Sequence, residues 1–274
     1  MSNPIKTATE GAALVGEILK AAGDNPKVKE AGANLGQTAL TLTKTINNAL
    51  LPIAAVNFAF DKARKYFAER FEQDLSAKAA AIPSEQLVEP KASIAGPALQ
   101  GLAFTHEEPN LKEMYLSLLA TSMDGRVAAN AHPAFVEIIK QLSSEEAQLL
   151  QELLRADGSF PIVQVRVQKS GEKGWRLLEM HLMNNVDPSS KVPIENQKQA
   201  AMVDNWVRLG LVEVDYAMHL VGTDFYTWVN QRPEYLRHIA QHESEATKIS
   251  YKRGVIGRTT LGTQFARAVG LLQL

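Results

Sequence analysis

Six histidines are the first residues of this chain to consider for chemistry: His106, His132, His181, His219, His238 and His242. His238 and His242 lie four apart and share one helical face, with Glu243 and Glu245 beside them. Two imidazoles at that spacing can hold zinc. A site needs further ligands, and neither a third ligand at a characteristic spacing nor a His-Glu-x-x-His run is present. The pair therefore reads as a solvated helix face. His106, followed by Glu107 and Glu108, reads as a helix entry. Asp124-Gly125-Arg126 and His132-Pro133 form a polar island between two apolar segments. It can be a small pocket, or a cap and turn in which Arg126 pairs with Asp124 or Glu137; the second reading is favoured. There is no cysteine, which removes thiolate metal sites, Fe–S clusters, disulfides and a cysteine nucleophile. No glycine loop with a lysine is placed to cradle phosphate, since Gly254 and Gly257 fall in or beside a strand. No Gly-x-Ser-x-Gly elbow occurs. The residues point to no catalytic group, no metal and no cofactor.

The balance of charge narrows the partners. Lys and Arg number 29 against 30 Asp and Glu in 274 residues, a net charge of -1. No global basic field exists to draw in nucleic acid or anionic lipid. From Ser143 to Leu274 the count is 15 basic and 15 acidic. Apolar residues make up 45%, enough for a packed core. The N-terminus lacks the basic and apolar regions of a secretory signal, and no run of 18 apolar residues occurs. The expected location is the cytoplasm.

One segment stands apart. From Ala31 to Phe60 the only charged residue is Lys44. As a helix it would extend about 45 Å. Val28, Gly32, Leu35, Ala39, Leu42, Ile46, Ala49 and Ile53 alternate four and three apart, which describes a packed helical seam. The segment serves either as the buried centre of a bundle or as a membrane-active element. Leu35, Leu42, Ile46, Leu50, Leu51, Ile53, Val56, Phe58 and Phe60 would carry the second role.

The elements that position these groups follow from pattern and punctuation. A first helix covers Gly11 to Ala22. After Pro52 a further helix runs to about Ala81, with Val56, Phe60, Phe67 and Phe71 inside. Short helices cover Ile94 to Phe104 and Leu111 to Met123, and another follows His132-Pro133. Ser143-Ser-Glu-Glu146 is a capping box opening a helix to Arg155. Phe160 to Gln168 reads as a strand, followed by a polar loop from Lys169 to Gly174. Ile194 to Leu209 reads as a helix, Val212 to Tyr216 and Ser250 to Arg258 as strands, and Asp224 to Gln241 as an inserted helical stretch. Thr260-Leu-Gly-Thr-Gln-Phe265 opens a closing helix and approximates a Thr-x-x-Gly-x-x-Phe motif, with the glycine misplaced when counted from Thr260. The fold expected is mostly α: a helical bundle over 1–142 and a winged-helix-like α+β domain over 143–274. A winged helix suggests DNA. Its recognition helix, Asn196 to Leu209, carries only Lys198 and Arg208 against Asp204. Lys248, Lys252, Arg253 and Arg258 are the remaining candidates for nucleic-acid contact. The charge balance favours a protein partner over nucleic acid.

The stretch from Lys44 to Gln151 resembles the abortive-infection alpha (Abi-alpha) family. The likeness rests on Ala95-Gly-Pro-Ala-Leu-Gln100, on Leu111-Lys-Glu-Met-Tyr-Leu-Ser-Leu-Leu-Ala-Thr-Ser-Met-Asp124, and on His132-Pro-Ala-Phe-Val-Glu-Ile-Ile-Lys-Gln-Leu-Ser-Ser-Glu-Glu-Ala147. The third motif is the most specific. The resemblance implies a role in bacterial phage defence and supplies no catalytic residue. Residues and resemblance together describe a non-enzymatic effector that perturbs membranes through its N-terminal apolar helices. A partner protein of the defence system would control it, with association of several copies on activation. The alternative is a winged-helix regulator that binds nucleic acid or senses infection.

Overall fold

The computed structural model describes residues 57–222 and 224–273. Among them the protein is an α+β mix, about half helical, with nine α-helices and one four-stranded antiparallel sheet. The chain divides into two compact units, Met1–Leu149 with Gln264–Leu274, and Leu150–Thr263. The first expected helix and most of the Ala31–Phe60 segment lie outside the described residues.

In the first unit, α1 (Asn57–Glu69) and α2 (Phe71–Ala79) replace the single helix expected up to Ala81. The break at Arg70 lets Phe71 turn inward, where its ring meets Tyr66 and Phe67 edge-on. Next come α3 (Ala92–Thr105), α4 (Pro109–Met123) and α5 (Pro133–Lys140). α4 is the centre of the unit: every residue from Met114 to Met123 is buried, so beyond its first turn it shows no polar face to water. α3 approaches it through Gly101, where a Cβ would stand 2.4 Å from the Tyr115 ring. The closing segment packs here too, with Phe265 edge-on to Phe135 and Thr121 donating to the Ala268 carbonyl at 2.9 Å.

The polar island is a cap and turn. Arg126 grips Asp124 through Nε and Nη2 at 2.8 and 2.6 Å, and its backbone N–H donates to the same carboxylate. The Gly125 N–H donates to the Gln86 carbonyl at 2.7 Å. His132 caps α5, its Nδ1 accepting from the Ala134 N–H. The capping box forms as expected at α6 (Ser144–Arg155): the Ser143 hydroxyl accepts from the Glu146 N–H, and the Glu146 carboxylate accepts from the Ser143 N–H.

In the second unit the strands β1 (Phe160–Lys169), β2 (Arg176–Leu182), β3 (Val212–Asp215) and β4 (Thr247–Arg258) pair in the order β2-β1-β4-β3. The expected strands are present, and β2 is additional. β1 and β4 pair without interruption from Phe160 opposite Ile256 to Lys169 opposite Thr247. α7 (Gln199–Arg208) starts later than expected, after an irregular stretch from Met183. The inserted stretch is a 3-10 turn, Thr227–Gln231, then α8 (Pro233–His242). Arg232 is fully buried between them. It is held by Glu234 at 3.0 and 2.5 Å and donates to the carbonyls of Asn185 and Ile194 at 2.6 and 2.9 Å. One guanidinium thus ties the long β2–α7 connection to the start of α8. Removing one partner of such a pair leaves a buried charge.

α9 (Thr260–Ala268) explains the imperfect motif. Counted from Thr259, the spacing Thr259-x-x-Gly262-x-x-Phe265 is complete. Thr259 is the cap, its hydroxyl accepting from the Gly262 N–H at 2.8 Å and donating to the Gly210 carbonyl at 2.5 Å. A Cβ on Gly262 would sit 2.0 Å from the Leu211 carbonyl oxygen. That obstacle is backbone and cannot rotate away. Gly262→Ala is therefore expected to destabilise the protein by at least about 1–3 kcal/mol. Thr259→Ala should cost about 1 kcal/mol, and Thr259→Ser much less. Urea unfolding of the three variants checks the order.

Candidate functional site

The second unit holds a polar cluster and, beside it, an open strip of sheet. Both follow from the irregular pairing of β2. Between β1 and β2 the register shifts twice, between Val163 and Val165 and again between Val165 and Arg166. Such bulges re-aim side chains. His181 lies at φ +55°, a left-handed conformation uncommon for a residue other than glycine. Its ring is buried, stacked on Tyr216 at 6.0 Å between centroids. Nδ1 is 3.0 Å from the Tyr216 hydroxyl and Nε2 is 3.1 Å from Asp204 Oδ1. α7 supplies Asp204, and Tyr216 directly follows β3. Gly254 makes room: a Cβ there would lie 2.5 Å from the Tyr216 ring. Gln199 donates to the His181 carbonyl at 3.1 Å and accepts from Asn185 at 2.7 Å.

Burial sets the protonation states. It pushes the His181 pKa below the ordinary value, outweighing the opposing pull of Asp204, so the imidazole is neutral at pH 7. Burial also raises the Tyr216 pKa, keeping the phenol protonated. With its proton on Nε2, His181 donates to Asp204 and accepts the Tyr216 O–H. That uses both ring nitrogens. A hydroxyl activated through such a chain needs a lowered pKa and access to substrate; burial instead raises that of Tyr216 and covers the His181 ring. This chain of hydrogen bonds joins β2, α7 and the end of β3, with Asp204 at its exposed outer end.

The strip follows from strand alternation. On one sheet face Val163, Val165, Val167 and Ile249 are buried with Leu182, Tyr226, Val229 and Tyr235. On the other, β1 runs from buried Ile162 and Gln164 to half-buried Arg166 and exposed Gln168. β4 runs in register from buried Ile256 and Gly254 to exposed Lys252, Ser250 and Lys248. The β2 edge adds Trp175, just before the strand, and Leu177 within it, 51% and 40% exposed. The Arg166 guanidinium lies 3.6 Å above the Trp175 ring and donates to Gln164 at 2.6 Å. Gln164 in turn reaches Met180 Sδ at 3.2 Å.

The nucleic-acid candidates separate. Lys248 and Lys252 share the open strip. Arg253 alternates to the other face, its guanidinium 5.4 Å from the Tyr226 ring. Arg258 is drawn inward, bonded to the Leu154 carbonyl and to Thr263, with Asp157 at 3.8 Å. Of the membrane-active candidates, Leu35, Leu42, Ile46, Leu50, Leu51, Ile53 and Val56 lie outside the described residues. Phe58 and Phe60 fall in the first turn of α1. His238 and His242 stack at 5.9 Å, but His238 Nε2 meets Glu179 at 3.0 Å, and no group of three metal-ligating side chains occurs among the described residues. His106 ends α3, with Nδ1 3.0 Å from the Ala103 carbonyl and its ring stacked on Tyr66.

The model of the abortive infection alpha family matches residues 63–269, about three quarters of the chain. The chain belongs to this family. No curated protein and no solved structure matches it. The matched span takes in every element from α2 to α9, so in this abortive infection alpha protein both the polar cluster and the strip lie within the family region. Residue patterns alone missed the Tyr216–His181–Asp204 cluster, Arg166 and Trp175. The 23 and 12 residues that separate His181, Asp204 and Tyr216, and the nine between Arg166 and Trp175, carry no local signature, and the one available signal was the Leu177, Met180, His181 run beyond the polar loop.

The histidine has a stability consequence. Its folded pKa is depressed, so below about pH 6.5 the unfolded chain binds more protons at this site than the native one. Stability from His181 is present above that value and is lost as the pH falls through it. Urea midpoints at pH 7.5 and pH 5 should fall more for the parent protein than for His181→Gln, which carries no titrating ring.

Proposed function

We propose that this abortive infection alpha protein is a non-enzymatic defence effector. In this reading the N-terminal apolar segment is the acting element, and the sheet-bearing unit controls it by binding. Family membership supports the defence role. One observation carries the non-enzymatic reading. In the described constellation nearest to an active site, Tyr216–His181–Asp204, the imidazole is buried away from any substrate and burial holds the phenol protonated. Binding needs neither a reachable base nor an activated hydroxyl.

The sheet-bearing unit supports a winged-helix-like reading. α6, β1, α7, β3, β4 and α9 occur in that order, and three strands pair as β1-β4-β3. β2 and α8 are then additions. Membrane perturbation rests on the composition of Ala31–Phe60, which has one charge in 30 residues. Among the described residues no helix is long and apolar enough to cross a membrane. The acting element is therefore assigned to the segment before α1. A second reading, nucleic-acid sensing by the same unit, is favoured by the open strip with Lys248 and Lys252.

Purified protein is expected to float with anionic liposomes and release an entrapped dye once activated by lysate of infected cells. Leu42→Asp with Ile46→Asp should abolish release while leaving the urea transition of residues 57–273 in place. Absence of both flotation and release, with and without lysate, overturns the membrane component.

A further inference from the structure

We infer that the open strip of the sheet is a binding site for single-stranded nucleic acid, and that such a strand is the signal the sheet-bearing unit reads. The inference rests on the controlling role proposed above for that unit.

The first support is where the sheet is left bare. One face is closed along its length by α8 and the 3-10 turn. The other is closed only at the Ile162 and Ile256 end. Beyond it, in-register positions are polar, basic or aromatic. Lys248 and Lys252 lie four residues apart on one strand, about 13 Å. Trp175 immediately precedes the edge strand β2, two ladders away, about 10 Å across. Two or three bases fit such an area, the number an antiparallel sheet with aromatic platforms commonly stacks.

The second support is the chemistry of the side chains. Trp175 presents half its surface to solvent, and Arg166 backs it at 3.6 Å. The guanidinium fixes the indole and adds positive charge behind it. A preset aromatic platform flanked by cations is the arrangement on which unpaired bases stack while their phosphates meet lysines. Lys248 and Lys252 make no ion pair with the described residues, so their charge is available.

The third support is where the acids have gone. Glu179 turns to the opposite face and meets His238. Asp204 is the exception, exposed on α7 with the buried His181 ring on one of its oxygens. Glu172 lies 3.6 Å from Lys169 at the hairpin end. Glu243 and Glu245 precede β4 and border only the Lys248 end of the strip. The neutral total charge thus conceals a local segregation. A duplex is disfavoured because the strip is flat and α7 offers only Lys198 and Arg208. An acidic peptide would use the lysines and leave the Trp175 platform without purpose.

Fluorescence anisotropy with the full chain tests this, using fluorescein-labelled oligo(dT) and oligo(U), a mixed-sequence duplex, and polyglutamate as competitor. The single strands are expected to bind and the duplex to bind more weakly. Trp175→Ala should weaken binding by about five- to hundredfold. Replacing Lys248 and Lys252 by Gln together should reduce the slope of log K against log salt by about 1.4 between about 50 and 200 mM. Trp175→Phe should retain binding while removing most of the quenching of tryptophan emission, because Trp206 is buried and Trp228 packs on the opposite face of the sheet. Trp175 is exposed, and unchanged circular dichroism melts confirm that its variants fold. No binding at low salt, preference for the duplex, indifference to both sets of variants, or polyglutamate bound as tightly as the single strands would each overturn the inference. Liposome release reads the N-terminal segment alone. Its failure with oligonucleotide binding intact removes the membrane role and leaves this site standing.

Discussion

The long β1–β4 ladder is the constraint on which the second unit depends. Its ten paired positions fix which residues share a face, because a one-residue slip would move every side chain to the other side. With the register set, Val163, Val165, Val167 and Ile249 fall together on a face that must be covered, and α8 with its preceding turn covers it. The opposite face inherits a graded content. It is apolar at Ile162 and Ile256 and charged at Arg166, Lys252 and Lys248. Burial of the first end supplies the hydrophobic stabilisation, about 25 cal/mol per Å². The second end is too polar to be covered in the same way.

The departures from regular structure follow from that frame. β2 must join an edge already twisted by the ladder, and it does so with two register shifts and a residue at positive φ. The cost of holding His181 there is of the order of 1–3 kcal/mol. Hydrogen bonds to Tyr216 and Asp204 oppose that cost and hold the ring in one orientation. Gly254 belongs to the same arrangement, since only a residue without Cβ lets Tyr216 lie over β4. The buried Arg232–Glu234 pair fastens the connection that follows β2, so an irregular stretch between two elements acquires a fixed path.

Much of this was legible in the residues, and the reasons differ by element. The capping box at Ser143 and Glu146 is local chemistry within four residues, and it forms as read. β1, β3 and β4 were visible because β-branched residues cluster between turn signals. The break at Arg70 was not, because the apolar spacing continues through it and only the packing of Phe71 against Tyr66 and Phe67 selects two helices. β2 escaped because a bulge destroys strict alternation: Leu178 and Glu179 are adjacent, yet Leu178 packs against the core and Glu179 meets His238 on that same face. The motif at Thr259 is masked by the adjoining Thr260, and only hydrogen bonding identifies which threonine is the cap.

Charge shows the same limit for function. Equal numbers of acids and bases over residues 143–274 argue against a nucleic-acid partner if the charges are mixed. They are not evenly mixed. Glu234 with Arg232 and Glu179 with His238 are each held in local contacts that fasten a connection and a strand. Buried or half-buried groups of this kind must be satisfied, because an unmet one costs about 1–3 kcal/mol. Lys248 and Lys252 bear no such obligation, since water serves them well, and they stand on the rigid ladder rather than on a loop. A pair of cations held at fixed spacing beside a fixed indole loses little conformational freedom when a ligand arrives. That economy of ordering separates a recognition surface from an ordinary solvated face, and in the described part of this protein it coincides with the half of the sheet that the helices leave open.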